Sequence, residues 1–210
     1  MFSFDLCAYK HCNKPVVFCA SEDNLDTSYE KRLFSSYCYE HCKNPEEVHR
    51  FVADYIAQRD VIVGLSVSGM HFKDSDGCNF QNCTFADVHA EQCKIRISIF
   101  DFSIFSDCNM TGSNIQFSSF AGAAFSHALF TNSELVHNNF NGITAVQSSF
   151  DDSDLYNSRF IRAKLSQTSF RNCNIKRVCF YESVQDNISF KLSNTREALF
   201  SPETPAEIYQ

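Results

Sequence analysis

The sequence predicts an all-β solenoid of square cross-section, and three observations predict it. Stepping by five from Phe80 to Phe190, every position is Phe, Leu, Ile or Met except Ala90, Ala145 and Gln185. Two residues before these steps the side chain is usually small: Cys78, Cys83, Cys93, Ser98, Ser103, Cys108, Ser113, Ser118, Ala123, Ala128. Sorted modulo twenty, the large positions separate by type. One column reads Phe80, Phe100, Phe120, Phe140, Phe160, Phe180, and another reads Ile95, Ile115, Leu135, Leu155, Ile175. A third reads Met110, Phe130, Phe150, Phe170, Phe190 after Ala90.

A period of five belongs to neither a helix (about 3.6) nor a strand (about 2). Like residues fall on like when each coil packs against copies of itself. Twenty residues therefore make one coil, in four sides of five. The large and small slots face inward, and the three slots between them carry most of the Asn, Asp, Gln, Lys and Arg. The composition agrees: 22 Phe and no Trp in 210 residues describe one slot filled again and again.

These residues resemble the pentapeptide-repeat family, whose units read roughly A/S/C-x-F/L-x-x. The resemblance implies a right-handed quadrilateral β-helix over residues 61–192. At the spacing of hydrogen-bonded strands, about 4.8 Å, roughly six coils would make a rod about 30 Å long. Ala145 and Gln185 share a column, so that side is expected to be underfilled or bulged. "MHFKDSDG" breaks the register between Met70 and Phe80 and predicts a loop or an irregular first coil. Cys78, Cys83, Cys93, Cys108 and Cys173 fall in the small inward slot and read as buried thiols. Cys179 falls in an outward slot, where exposure is expected.

Before the repeats, residues 1–43 read as a small Cys/His module. "CAYKHC" and "YCYEHC" offer Cys7, Cys12, Cys38 and His41, a Cys3His set that suits tetrahedral zinc. A segment this short and polar has little core, so a structural zinc would supply folding energy. The spacing resembles small zinc motifs of the form C-x4-C…C-x2-H, although the 25 residues between Cys12 and Cys38 make a long gap. Cys19 or Cys42 could replace one ligand, and free thiols in a leader are the other reading.

Residues 44–60 predict a capping helix. Asn44 suits the N-cap, Pro45 the first helical position and Glu47 a capping-box spacing. Val48, Phe51, Val52, Tyr55 and Ile56 form one apolar stripe. A cap is expected because an open solenoid exposes strand edges. Residues 193–210 lose the period, and their two prolines suit a C-terminal cap or tail, the end at which the resemblance implies dimers.

The net charge of -7 argues against direct nucleic-acid binding. No apolar run is long enough to span a membrane, and the first ten residues do not read as a signal peptide. The expected compartment is the cytoplasm, so the sequons at Asn82, Asn109 and Asn187 read as chance matches. No catalytic constellation emerges. His89 and Glu91 in "HAE" lack a following Pro-Cys-x-x-Cys, His127 and His137 occupy outward slots, and the chain reads as a non-enzyme. Ile97, Ile99, Phe102, Ile104 and Phe117 are bulky apolar residues in outward slots, more than scattered surface hydrophobes explain. Either the front module or the helix folds over them, or they bind a protein partner or a second copy. The expectation is a non-catalytic interaction scaffold with a structural zinc. The alternative is a DNA-mimicking modulator of a type II topoisomerase, as the resemblance to gyrase-binding members implies. Against it, Arg159, Arg162, Lys164, Arg171, Lys176 and Arg177 interrupt the acidic surface begun by Asp151, Asp152 and Asp154.

Overall fold

A computed structural model describes residues 6–19, 32–33, 36–63, 65–72 and 74–201. The chain winds a parallel β-solenoid of about six turns. Strands one coil apart pair in register twenty residues apart, as in Phe105 with Phe125 and Phe125 with Ala145. Isolated bridges continue the ladders as far as Cys179 with Leu199. The four faces are named here in chain order from their inward columns: first from Phe80, second from Phe85, third from Ala90, fourth from Ile95.

What turns the chain every five residues is backbone conformation. From Gly77 to Leu192, every fifth residue has a positive φ, between 50° and 70°. Each side is thus a short extended stretch closed by one left-handed residue. At most corners this residue is Asn, Asp, Gln or Gly, but Ile97 (φ 53°), Phe102 (φ 59°) and Phe117 (φ 53°) adopt it too. The left-handed region costs a non-glycine residue about 1–2 kcal/mol, and a β-branched side chain is the worst fit. Ile97→Asn is therefore expected to stabilise the fold by about 1 kcal/mol, a rise of roughly 2–4 °C in melting temperature.

Where the small inward slot holds a polar side chain or a thiol, that group replaces backbone pairing at the corner. Ser158, fully buried, accepts a hydrogen bond from the Asn138 amide one coil below (2.8 Å) and donates to the Leu135 carbonyl (2.7 Å). Ser103 repeats this with the Cys83 amide and the Phe80 carbonyl, and buried Asn138 does so through its amide with Ser118 and Ile115. Cys108 and Cys173 donate their thiols to the Phe85 and Phe150 carbonyls at 3.1 and 3.0 Å. Serine and cysteine recur there because they are small and can donate to a carbonyl. Ser158→Ala leaves one buried N–H and one carbonyl without partners. It is expected to cost about 1–3 kcal/mol in chemical denaturation, whereas truncating an exposed serine should cost nothing measurable.

The core is a lattice of rings. Phe80 to Phe200 stack in one column, with centroids 4.8–5.3 Å apart. In the lower coils this column meets Phe85 and Phe105 edge-on or tilted; in the upper coils it meets Phe150 and Phe170 edge-on. The second aromatic column thus moves from the second face to the third. Ala145 marks the switch and is fully buried. The underfilled place is Ala90, beside an apolar cavity of about 30 Å³ lined by Phe72, Phe100 and Met110 among others. Gln185 is exposed at the top of its column.

The first coil is shorter than the rest rather than unstructured. Ile62, Ser66 and His71 pair with residues eighteen positions on, Phe80, Thr84 and His89. Asp74 pairs with Lys94, twenty on. The two missing residues fall between His71 and Asp74, and they put Phe72, not Met70, below Ala90. Cys179 is buried, against its outward slot. It sits between Arg159 and Leu199 in the last ladder, where the chain after residue 192 adds another layer.

Helix α1 (Pro45–Ala57) buries Val48, Val52 and Tyr55 in the same core, while Phe51 points away. Asn44 occupies the N-cap, but its side chain donates to the Glu47 carboxylate (3.1 Å) and makes no bond to the helix backbone. Among the described residues, no helix is long and apolar enough to cross a membrane.

Candidate metal centre and interaction face

The front module is built from three pieces. A turn at residues 9–12, with His11 at φ 67°, is closed by the Leu6–Pro15 bridge and the Cys7 N–H to Lys14 carbonyl bond. This places Cys7 and Cys12 at one end of a hairpin. The Ala8 N–H donates to the Ser36 carbonyl (2.8 Å) and brings in the second piece, a 3₁₀ turn at Tyr39–His41 begun by Cys38. At about three residues per turn, positions i and i+3 lie on one side, so Cys38 and His41 face the hairpin together.

The third piece is a ribbon. Strand β1 (Phe18–Cys19) pairs with β2 (Arg32–Leu33), and on its other side with β4 (Ser66–Ser68), which follows β3 (Ile62–Val63) in the first coil. The second face is thereby one nine-stranded sheet that includes the ribbon. This explains the long Cys12–Cys38 gap: the intervening chain leaves the Cys/His cluster to cover the exposed edge of β4. Two further contacts pin the module. Val16 accepts from the Ser66 hydroxyl (3.0 Å), and Lys14 pairs with Asp87 and with Glu40 (2.8 Å). Lys14 is half-buried, yet its two carboxylate partners outweigh the burial and raise its pKa.

The donor atoms of Cys7, Cys12, Cys38 and His41 all lie within 4.8 Å of one another. Cys7 Sγ and Cys38 Sγ stand 3.6 and 3.3 Å from His41 Nδ1, and Cys12 Sγ stands 3.9 Å from Cys38 Sγ. Tetrahedral bonds of about 2.3 Å to sulfur and about 2.05 Å to nitrogen require edges of roughly 3.8 and 3.6 Å. The set therefore has the size of a four-coordinate site, and soft thiolates with imidazole suit zinc rather than magnesium or calcium. Tyr9 stacks on the His41 ring at 4.0 Å and fixes its plane.

Burial pushes the Cys38 thiol up to about 12, and the neighbouring Cys7 and Cys12 thiols add to this. Burial pushes Cys7 up as well, but backbone hydrogen bonds from Cys38 and Tyr9 and the His41 ring outweigh it, to about 7. Sulfurs held this close can ionise together only beside a cation. Of the possible substitutes, Cys42 turns away and donates to the Tyr39 carbonyl (3.0 Å), and the Cys19 side chain lies outside the described residues.

On the rod, the apolar residues in outward slots wrap the first face. Ile97 (71% exposed) and Phe117 (52%) stand at its leading corner and Phe102 (61%) at its trailing corner. Ile99 lies on the face, and Ile104 just beyond it on the second face, both half-buried. Among the described residues, neither the module nor α1 covers the three exposed ones. Phe102 lies flat over Gly122, where a Cβ would stand 2.7 Å from ring carbons. Phe117 stacks on His137 (4.9 Å), which meets the edge of Tyr156. His127 is exposed and bonded to Gln147, and His89 lies beside Glu91 and stacks on His71. The sequence reading missed the corner conformation at Ile97, Phe102 and Phe117; the positive φ has no residue-type signature at those sites.

Comparison with known proteins agrees with the repeat. Residues 123–200 match the family model of the pentapeptide repeat region. No curated protein sequence matches significantly. Similar solved structures include the pentapeptide repeat protein Rfr23 from the cyanobacterium Cyanothece 51142, 14% identical, with a TM-score of 0.42 over 44% of this chain and 63% of that one. The chain thus spans less than two thirds of that protein. HetL from Nostoc sp. strain PCC 7120, a pentapeptide repeat protein involved in heterocyst differentiation regulation, is 11% identical, with a TM-score of 0.28 over 75% and 98%. QnrB1, a plasmid-mediated fluoroquinolone resistance protein, is 14% identical, with a TM-score of 0.30 over 63% and 84%.

Proposed function

We propose that this pentapeptide-repeat solenoid is a non-catalytic, cytoplasmic interaction scaffold whose front module is held together by one structural zinc. The observation that carries the reading is the first face, where Ile97, Phe102 and Phe117 stay largely exposed in a strained backbone conformation. Bulky apolar residues left this exposed contribute little to folding, so a binding role accounts for their cost. The Cys3His set supports a structural metal, because four good ligands leave no open position for substrate.

The charge pattern supports the scaffold over topoisomerase mimicry. A phosphate mimic needs carboxylates running along the rod. The corner that starts with Asp87 and Asp107 continues as His127, Gln147 and Gln167. The test is affinity capture with the wild-type chain and with Phe102→Asp/Phe117→Asp, both at exposed corners that Asp tolerates. A partner held by the wild type and lost by the variant is the expected result; identical capture would overturn the role of this face. A gyrase supercoiling assay run alongside is expected to show no change.

A further inference from the structure

We propose that the occupant of the first face is a second copy of this chain, with the two rods antiparallel. The inference rests on the reading of this face as an interaction face, and it names what the face binds. Between its corners the middle carries short side chains, Ser119, Ala121, Asn139 and Asn141, with the Phe102 ring lying over Gly122 and Phe117 with His137 along the leading corner. Two such faces can pack as the layers of a sandwich do, with the exposed Phe102 and Phe117 rings filling the seam.

Charge decides both the partner and the direction. Among the outward slots of this face between Asn79 and Arg162, the ionised side chains are Asp101, Arg159 and Arg162, of which Arg162 is already paired with Glu182 (2.7 Å). Asp101 lies on the second repeat coil and Arg159 on the coil through Phe160, at equal distances from the midpoint between the Phe120 and Phe140 coils. An antiparallel two-fold about that midpoint sets Asp101 of each copy against the Arg159 end of the other. It also sets Phe102 against the opposite Arg162 corner. A parallel pair would set like charge on like. An isologous interface requires this kind of self-complementarity, and opposed charges fix its register.

Both charges are available for it. Arg159 is exposed, with no ion-pair partner among the described residues. Asp101 uses one carboxylate oxygen to accept from the Ala121 N–H (2.9 Å) and the Ser119 hydroxyl, which aims the group along the face and leaves its second oxygen to bond outward.

The test is molar mass by light scattering or sedimentation from about 1 to about 100 µM, the range in which an interface of this kind should associate. The wild-type chain is expected to be a dimer. Phe102→Asp and Arg159→Asp should each weaken it at least about tenfold, while Lys164→Asp on the second face should leave it unchanged. Melting curves of the three variants serve as the folding control. A wild-type monomer throughout would overturn the inference and leave the face to another protein, so the scaffold reading would stand on its capture experiment. A dimer indifferent to both first-face substitutions would also overturn it, because the copies would then meet elsewhere.

Discussion

Phe150→Ala is expected to destabilise the rod by about 4 kcal/mol, near the top of the range for single core truncations. The ring is fully buried and lies between Phe130 (5.1 Å, 4° between planes) and Phe170 (4.9 Å, 1°). It also meets Phe140 at 77° and Phe160 at 90°. Four ring contacts disappear with one side chain, and neighbouring coils hold the backbone at a fixed spacing, so the void cannot collapse. The melting temperature should fall by roughly 8–16 °C. The matched control is Phe102→Ala, whose ring is exposed and should cost under about 1 kcal/mol. A loss below about 1 kcal/mol for Phe150→Ala would mean that the column does not carry the stability of the rod.

The second large effect belongs to the front module. Cys38→Ser removes one of four donors and is expected to abolish metal binding, because a hydroxyl does not replace a thiolate on zinc. A zinc held there would supply several kcal/mol to a domain with so little core, and without it the hairpin at residues 6–15 and the turn at 38–41 should separate. Since Lys14 and Val16 lie on the segment leading into β1, the ribbon should release the edge of β4. Hydrogen exchange reads this directly: amides in 6–19 and 36–42 should lose protection by more than about tenfold, while those from Ile115 to Phe180 stay protected. Unchanged protection in the module would show that packing alone holds it.

The rod was legible because one slot with one requirement recurs along the chain. Phe120, Phe140 and Phe160 announce themselves by type and spacing, and the serines and cysteines of the small slot do so nearly as well. The corners were less legible. A left-handed residue leaves a signature when it is Gly112 or Asn132, and none when it is Ile97 or Arg162. The shortened first coil was visible as a break near Met70, but pairing alone shows that two residues are missing and that Phe72 takes the slot below Ala90.

In the front module, the paired spacings of Cys7 with Cys12 and Cys38 with His41 marked the set that the fold brings together. The gap between the pairs had no local explanation, because its cause is remote. In the intervening chain Phe18 pairs with Ser66 in the rod and Val16 accepts from its hydroxyl, and contacts this remote in sequence leave no periodic trace. For the same reason the exposure of Ile97, Phe102 and Phe117 depended on where distant segments pack, and the sequence left that open.

That the front of the chain is a metal-built unit docked on the rod is tested most directly by elemental analysis of freshly purified, reduced protein. Wild type should be measured beside a Cys38→Ser/His41→Ala variant. One zinc per chain in the wild type, absent from the variant, is the expected result. No zinc in the wild type, or equal zinc in both, would contradict it.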